Sequence, residues 1–451
     1  MTAYSSLRPA PESRTFSAAS VEKLISEVSS AIADPELAWL FGNCVPNTLD
    51  TTISHESGAA PDTFVITGDI PAMWLRDSAA QVWPFLPLAR EDEALRVLLE
   101  GMLRRQAKSV LLDPYANAFY REPVFGKWKD DLTEMRPGVH ERKWELDSLT
   151  YFVRLSYGYW EATGDLSPFD ETWVGAVEAM FGLLRVEQGD GSRSTYTFWR
   201  PGNGTRPEDG DVPFRGKGAA SANCGLIRCF FRPSDDMVAF PFLVPANAML
   251  AVALRSIVPL LEVLQKPELA QQAARVSGEI TEALRSHAIV QHPVHGEIWA
   301  YEVDGLGGVN FMDDANVPSL LSLPYLGFCE RNDPLYLRTR AFCLSPENPF
   351  FVAHGGYSGI GSPHTARGTI WPMAITMQAL TAESDEEILA CLQQLKTCHA
   401  GTGFMHESFH ATDPANFSRP WFAWANTLFG ELIVTLHRDR PHLLAVKFDA
   451  H

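Results

Sequence analysis

The 451-residue chain is 46% hydrophobic and 20% charged, an ordinary globular balance with ample material for a core. Its formal net charge of −18 excludes nucleic acid and anionic membrane as partners, because like charges repel. A neutral, polyhydroxylated substrate is indifferent to that charge, and the 12 Trp and 26 Phe suit either a large core or a sugar site.

Residues 1–17, rich in Ser, Pro and Ala, read as a loose N-terminal arm, and 18–451 as a single domain. The first twenty residues have no apolar core of the secretory kind. From Ala18 to Ile32 the apolar spacing is helical. Asp62–Thr67 reads as a short strand ended by Gly68. It delivers the chain to GDIPAMWLRDSAAQVWPFL, where Asp77 and Ser78 open a helix, and Arg90–Leu112 continues as a second. After a loop region at 113–140, HERKWELDSLTYFVRLSYGYWEATGD is apolar on too many faces for a surface helix and reads as a buried one. Trp173–Val186 is another helix.

Residues 189–220 are Gly-rich and irregular, with one expected strand at Thr195–Trp199. Helices are expected at about 246–264 and 267–288, a strand at Glu297–Val303, and further helices from 312–327, 364–382 and Asp385–Cys398. The apolar run from Ala248 to Leu264 is broken by Arg255 and Pro259, so it reads as a buried helix and not a bilayer span. The seven cysteines form no CxxC pair and no zinc-type spacing, and read as reduced thiols. The expectation is a soluble, cytoplasmic protein, with a monomer favoured. Its fold class is mainly α, with ten to twelve helices arranged as antiparallel pairs and a few short strands.

The last helix is preceded by FMHESFH, with Trp421, Phe422, Trp424 and Asn426 close behind. Glu407 therefore sits among imidazole, indole and amide groups, as a sugar pocket requires. Nearly every second helix begins with a comparable polar cluster. In order these are Asp69 with Arg76 and Asp77; Glu141, Arg142, Glu145 and Asp147; Arg232, Asp235 and Asp236; Asp313, Asp314 and Asn316; His364 and Arg367; His406 and Glu407. Helix capping accounts for any one cluster taken singly. Six of them, each with an aromatic, His or Arg that a cap does not need, point further. If alternate helices form an inner ring, their starts line one acidic, aromatic pocket.

Such a pocket suits glycoside hydrolysis, in which a protonated carboxyl group serves the leaving oxygen and an ionised one attacks or activates water. Asp235-Asp236 supplies the acid, since adjacent carboxylates repel and one pKa rises. Glu407 supplies the base. Asp313-Asp314-x-Asn316 is a weak metal motif and is better read as hydroxyl-binding groups or caps. His364 and His406 lack ligand spacing, so no metal site is expected. The Gly-rich stretch lacks a phosphate-loop pattern, which removes nucleotide binding.

TGDIPAMWLRDSAAQ (67–81), ERKWELDSL (141–149), RPSDD (232–236), MDDANVPSLLSLPYLG (312–327), GTGFMHESFH (401–410) and WFAWANTLFGEL (421–432) together resemble glycoside hydrolase family 125 from about residue 40 to 437. The resemblance implies an (α/α)6 barrel, exo-acting α-1,6-mannosidase activity on α-mannoside oligosaccharides or glycans, inversion at the anomeric carbon, and no metal or organic cofactor. It places the general acid in RPSDD, with Asp236 favoured over Asp235, and the base at Glu407. It draws the mannose subsite from Asp69, Trp74, Arg76, Asp77, Arg142, Trp144, Glu145, Asp314, His364 and Trp424. Single displacement then requires the two carboxyl groups to stand roughly 6.5–9.5 Å apart. The alternatives are an inverting barrel glycosidase on a gluco-configured substrate such as trehalose, a non-catalytic sugar-binding protein, and a metal-dependent all-α enzyme. The last needs DDxxD spacing, and position 317 is Val.

Overall fold

Among the described residues, twelve helices of eight residues or more form the framework of the fold. They are α1 (Ala19–Ala31), α2 (Pro35–Cys44), α3 (Leu75–Val82), α4 (Glu93–Leu112), α5 (Leu146–Thr163), α6 (Glu171–Glu187), α7 (Val244–Val263), α8 (Pro267–His287), α9 (Pro334–Cys343), α10 (Pro372–Thr381), α11 (Asp385–Thr397) and α12 (Ala423–Asp439). The computed structural model describes residues 4–201 and 212–448.

The helices form an (α/α)6 toroid. Helix α3 packs on α5, α5 on α7, α10 on α12, and α12 back on α3, which makes the inner ring. An outer layer covers it: α6 lies on α4, α8 on α7, α11 on α10, and α1 and α2 on α12. The sixth inner position is filled by a run of turns at 319–327, where Leu326 N–H donates to Ser322 (3.0 Å) and Ser322 N–H to Ser319 (3.2 Å). The sequence pattern predicts a helix there. Pro318 and Pro324 remove the backbone donors that a regular helix needs, so only turns form. Likewise α10 starts at Pro372, and residues 364–371 stay outside it as loop and short strand.

Six small sheets brace the toroid, none with more than three strands. Three of them hold the entries to inner helices. The pair Met73–Trp74 joins Ala118–Phe119 and Val139–Glu141; Phe242–Leu243 joins Glu302–Val303; Thr369–Ile370 joins Ser408–His410. Met73–Trp74, Phe242–Leu243 and Thr369–Ile370 run directly, and Val139–Glu141 after a short loop, into the N-terminal end of an inner helix. Those ends therefore share one rim.

The two layers start their helices differently. Five outer helices are capped by side chains: Asp34, Asp92, Asp170, Asp333 and Ser384 each accept from backbone N–H groups of the first turn, while α1 and α8 start without one. The inner helices begin at Trp74, Glu145, Leu243, Trp371 and Phe422, and none of these side chains caps. Capping thus explains those five outer starts and leaves the polar residues of the inner starts to another task. Asp313 is the exception, since its carboxylate accepts from Leu320 and Leu321 N–H and closes the turn run.

The main core runs from Ala18 to Leu444, and a small second cluster joins Ala72, Trp74 and Ala118 at the rim. Val244–Val263, long and apolar enough to cross a membrane, is buried within the main core. Below the rim, Trp424 meets Tyr151 edge-on, and the buried Arg154 lies between the rings of Trp83 and Tyr325. The N-terminal arm, expected to be loose, is tied down from Tyr4 onward. Arg8 pairs with Asp50 (2.7 Å), and Leu7 N–H donates to Asn43 (3.0 Å). The expected strand at 195–199 reduces to Trp199 exchanging backbone hydrogen bonds with Leu132. Part of the Gly-rich stretch, 202–211, lies outside the described residues.

Asp333 caps α9 far from the rim. Asp333→Ala is expected to lower the unfolding free energy in urea by about 1 kcal/mol, with the native near-ultraviolet dichroism unchanged before the transition.

Candidate active site

The rim holds a narrow pocket. Trp74, Arg76 and Asp77 reach it from the start of α3; Ser234 and Asp235 from the turn before α7; Asn316 from the loop before the 319–327 turns; His364 and Trp371 from the entry to α10; and Glu407, Arg419, Phe422 and Trp424 from the entry to α12. Indole and phenyl faces make the walls, and charged groups stand between them. Trp74 Nε1 is buried in the wall with no hydrogen-bond partner among the described residues. A donor left open there awaits an acceptor from a bound molecule or water.

Arg76 is the centre of the acidic side. Its guanidinium donates to Glu145 (2.6 Å) and Asp147 (3.1 Å), reaches Asp235 (3.4 Å), and lies beside Asp77 (3.4 Å). Burial pushes the Asp77 carboxyl up to about 6, although the Arg76 charge opposes the rise.

The RPSDD segment is a tight turn. Asp235 N–H donates to the Arg232 carbonyl (2.9 Å), and Arg232 N–H to the Asp236 carbonyl (2.8 Å). Asp235 sits at its tip with φ of 67°, the left-handed region that a non-glycine residue occupies only when its surroundings enforce it. Lys143 enforces it by donating to the Asp235 carbonyl (2.7 Å). The two aspartates therefore point apart. Asp235 faces the pocket with a side chain 23% exposed, whereas Asp236, 1% exposed, lies behind the wall against His364 Nδ1 (3.6 Å). The family resemblance favours Asp236 over Asp235 as the acid, whereas the turn puts Asp235 on the pocket wall and Asp236 behind it.

His364 is held as a cation. Burial works against its charge, but the hydrogen bond and charge of Asp236, with Glu407 and Asp235 nearby, carry it up to about 9. On the other side Arg419, also left-handed with φ of 53°, pairs with Glu407 (3.3 Å) and Asp69 (3.1 Å).

Most residues expected at the site belong to it at one remove or none. Trp74, Arg76, Asp77, Asp235, His364, Glu407 and Trp424 line the pocket. Glu145 is fully buried behind Arg76, and Asp69 stands half-exposed on the rim. Asp314 is buried behind the wall and accepts from Asn316 (2.9 Å) and Ser362 (3.2 Å). Arg142 and Trp144 are corrections, because neither side chain is part of the wall. Arg142 is taken by Asp113 (2.6 Å) and Thr133 (2.7 Å), and the Trp144 indole N–H by the Arg228 carbonyl (2.8 Å). Asn117, Lys143, Trp371 and Arg419 were not found from the sequence. Trp371 occupies the same position relative to α10 as Trp74 does to α3, a repeat that comparison of the two helix starts would have exposed. Asn117, in PYANAFY, carries no spacing signal.

An aromatic pocket at one rim of a helical toroid, with carboxyl groups on separate loops, is the architecture of a glycoside hydrolase. A bacterial glucoamylase complexed with acarbose shares the fold at a TM-score of 0.56 and 12% identity, over 90% of this chain and 57% of that one. Residues 34–434 match the family model for metal-independent α-mannosidases, glycoside hydrolase family 125, and the chain belongs to that family. A metal-independent α-mannosidase of Streptococcus pneumoniae, solved in a non-productive complex with α-1,6-mannobiose, is 40% identical with a TM-score of 0.90. The match covers 94% of this chain and all of that one. The meiotically up-regulated gene 157 protein of Schizosaccharomyces pombe is 44% identical over 97% of this chain and 89% of its own length.

His364 titrates from an ordinary 6.5 to about 9 on folding. Its contribution to stability is therefore full below the unfolded value and is lost as pH rises through about 9. Imidazole NMR shifts followed against pH are expected to place the wild-type midpoint near 9. In Asp236→Asn that midpoint is expected to fall back toward the ordinary value.

Proposed function

We propose that this α-mannosidase removes terminal mannose from α-1,6-linked mannosides by single displacement, with Asp235 as general acid and Glu407 as general base. The observation that carries the assignment is the RPSDD turn, which sets Asp235 on the wall of the pocket that also holds Glu407. The α-1,6 linkage is taken from the mannobiose bound by the streptococcal relative.

Asp235 protonates the glycosidic oxygen. Glu407, oriented by Arg419, takes a proton from the water that attacks the anomeric carbon, and the sugar leaves as the β-anomer. Arg76, Asp77 and the His364 imidazolium present charged groups to the sugar hydroxyls, and Trp74, Trp371 and Trp424 cover its apolar faces. A cytoplasmic location belongs to the same proposal. Its support is the set of seven unpaired cysteines, which an oxidising compartment would leave open to mispairing.

Proton NMR of an α-1,6-mannobiose digest in EDTA tests this directly. Wild type is expected to release β-mannose first. Glu407→Gln and Asp235→Ala are each expected to lose roughly 100- to 10,000-fold in rate. Early α-mannose would overturn the single displacement. Greater loss of acid-dependent cleavage in Asp236→Ala than in Asp235→Ala would overturn the acid assignment.

A further inference from the structure

Asp235 does not stand alone. Asn117 Nδ2 faces three carboxyl groups at once: Glu141 (2.9 Å), Glu145 (3.2 Å) and Asp235 (3.2 Å). Arg76 spans Glu145 and Asp235 from the other side. Glu145 has no exposed surface, and Ser148 Oγ donates to it as well (2.9 Å). Asn117 and Arg76 thus hold the Glu145 and Asp235 carboxyl groups side by side.

The surrounding charges do not balance. Asp77, Asp131, Glu141, Glu145, Asp147 and Asp235 are six carboxyl groups, ion-paired among the described residues with Arg76, Lys143 and Arg200 as fixed cations. Arg200 is held by Asp131 through two bonds (2.8 and 2.6 Å) and shared with Glu141 (2.8 Å), so it does little for the inner pair. His140, which burial holds below its ordinary value, adds no charge at neutral pH. Across the pocket, the His364 and Arg419 cations are already matched by Asp236, Glu407 and Asp69. A volume this dry does not keep every excess carboxyl ionised, so protons are retained.

We infer that Glu145 is the proton-storing partner of Asp235, so that the pair holds one proton at rest and delivers it to the glycosidic oxygen through Asp235. This rests on Asp235 being the general acid. The directions of titration agree. Burial pushes Glu145 well above the carboxylate range, while the charges of Lys143 and Arg76 and the hydrogen bond from Glu145 overcome burial and hold Asp235 well below it. At rest the proton therefore sits on Glu145.

A sugar filling the pocket strips water from Asp235 and draws the proton across. The O–H bond on Glu145 breaks and one on Asp235 forms. That bond breaks in turn as the proton joins the leaving oxygen and the glycosidic C–O bond opens. The pair is left as two carboxylates beside Arg76. It regains one proton from solvent, while Glu407 returns to solvent the proton taken from the attacking water. Glu145 touches no substrate and is a positioning residue.

Glu145→Gln keeps the shape but cannot lend a proton. Its expected signature is selective. Cleavage of α-1,6-mannobiose falls roughly 100-fold, whereas 2,4-dinitrophenyl α-mannoside, whose leaving group needs no proton, is cleaved at near the wild-type rate. The basic limb of the kcat/KM profile moves to lower pH, because a neutral amide no longer favours a proton on Asp235. Glu145→Asp, which keeps a carboxyl one methylene short, is expected to recover part of the mannobiose rate. Equal losses on both substrates, or no loss on either, would overturn the proposal. If Glu145→Gln does not fold, Glu145→Asp decides: its rates must depend more steeply on leaving-group acidity than those of wild type, and an unchanged dependence overturns the pairing. Asp235→Ala separates the two layers. If it shows the selective signature and the Glu145 variants do not, only the storage role fails. If it does not show that signature, the acid assignment itself fails.

Discussion

A guanidinium with almost no contact with water sits at the centre of this protein. Arg76, at the first turn of α3, touches carboxyl groups from α5, from the turn before α7 and from its own neighbour in sequence. Removing a charge of this kind from water costs several kcal/mol, and only close, well-directed partners offset it. The partners come from inner helices that are adjacent in the ring, so the requirement to satisfy Arg76 also fixes how those helix ends meet. Taking away one member of such a buried pair typically costs about 3–5 kcal/mol, because its partners are left charged and alone. The same cluster that orders the rim thus carries the surplus carboxyl groups that acid catalysis draws upon.

The toroid separates stability from chemistry by layer. Five of the outer helices end free N–H groups on Asp or Ser side chains, the ordinary solution for a helix start near solvent. Inner helices begin instead at Trp, Glu, Leu or Phe, with short strands setting the entry. Trp74, Trp371 and Phe422 there face the pocket and not their own backbone. A further cost is visible in Asp235 and Arg419, two non-glycine residues held left-handed on opposite loops of the pocket. Strain of that kind persists where neighbours over-determine it, as Lys143 does for Asp235 and the Asp69–Glu407 pair does for Arg419.

Two opposed electrostatic settings result. On the Asp235 side, carboxyl groups outnumber cations and protons are retained. On the Glu407 side, Arg419 and the His364 imidazolium stand beside the carboxylate. A reaction that begins with one carboxyl protonated and the other ionised needs this asymmetry. Asp236 contributes to it from behind the wall, as the counter-charge that keeps His364 cationic.

Much of this was legible in the chain itself. Helical periodicity, the alternation of polar-started helices, the acidic balance and the excess of aromatic residues are local or compositional properties. They determined a mainly helical domain whose helix starts carry acidic, aromatic clusters, and the motifs around Arg76, RPSDD and Glu407 determined the family and, through it, the (α/α)6 barrel. The departures have physical reasons. Prolines 318 and 324 broke one expected helix, ion pairs of Arg8 tied down the arm, and Asp113 and the Arg228 carbonyl drew Arg142 and Trp144 away from the pocket. Asn117 and Arg419 had no periodicity to announce them. Only the tertiary structure decided which of two adjacent aspartates faces the pocket, and that Glu145 lies against it. Both depend on backbone torsion and on contacts between residues about ninety positions apart, where spacing along the chain carries no information.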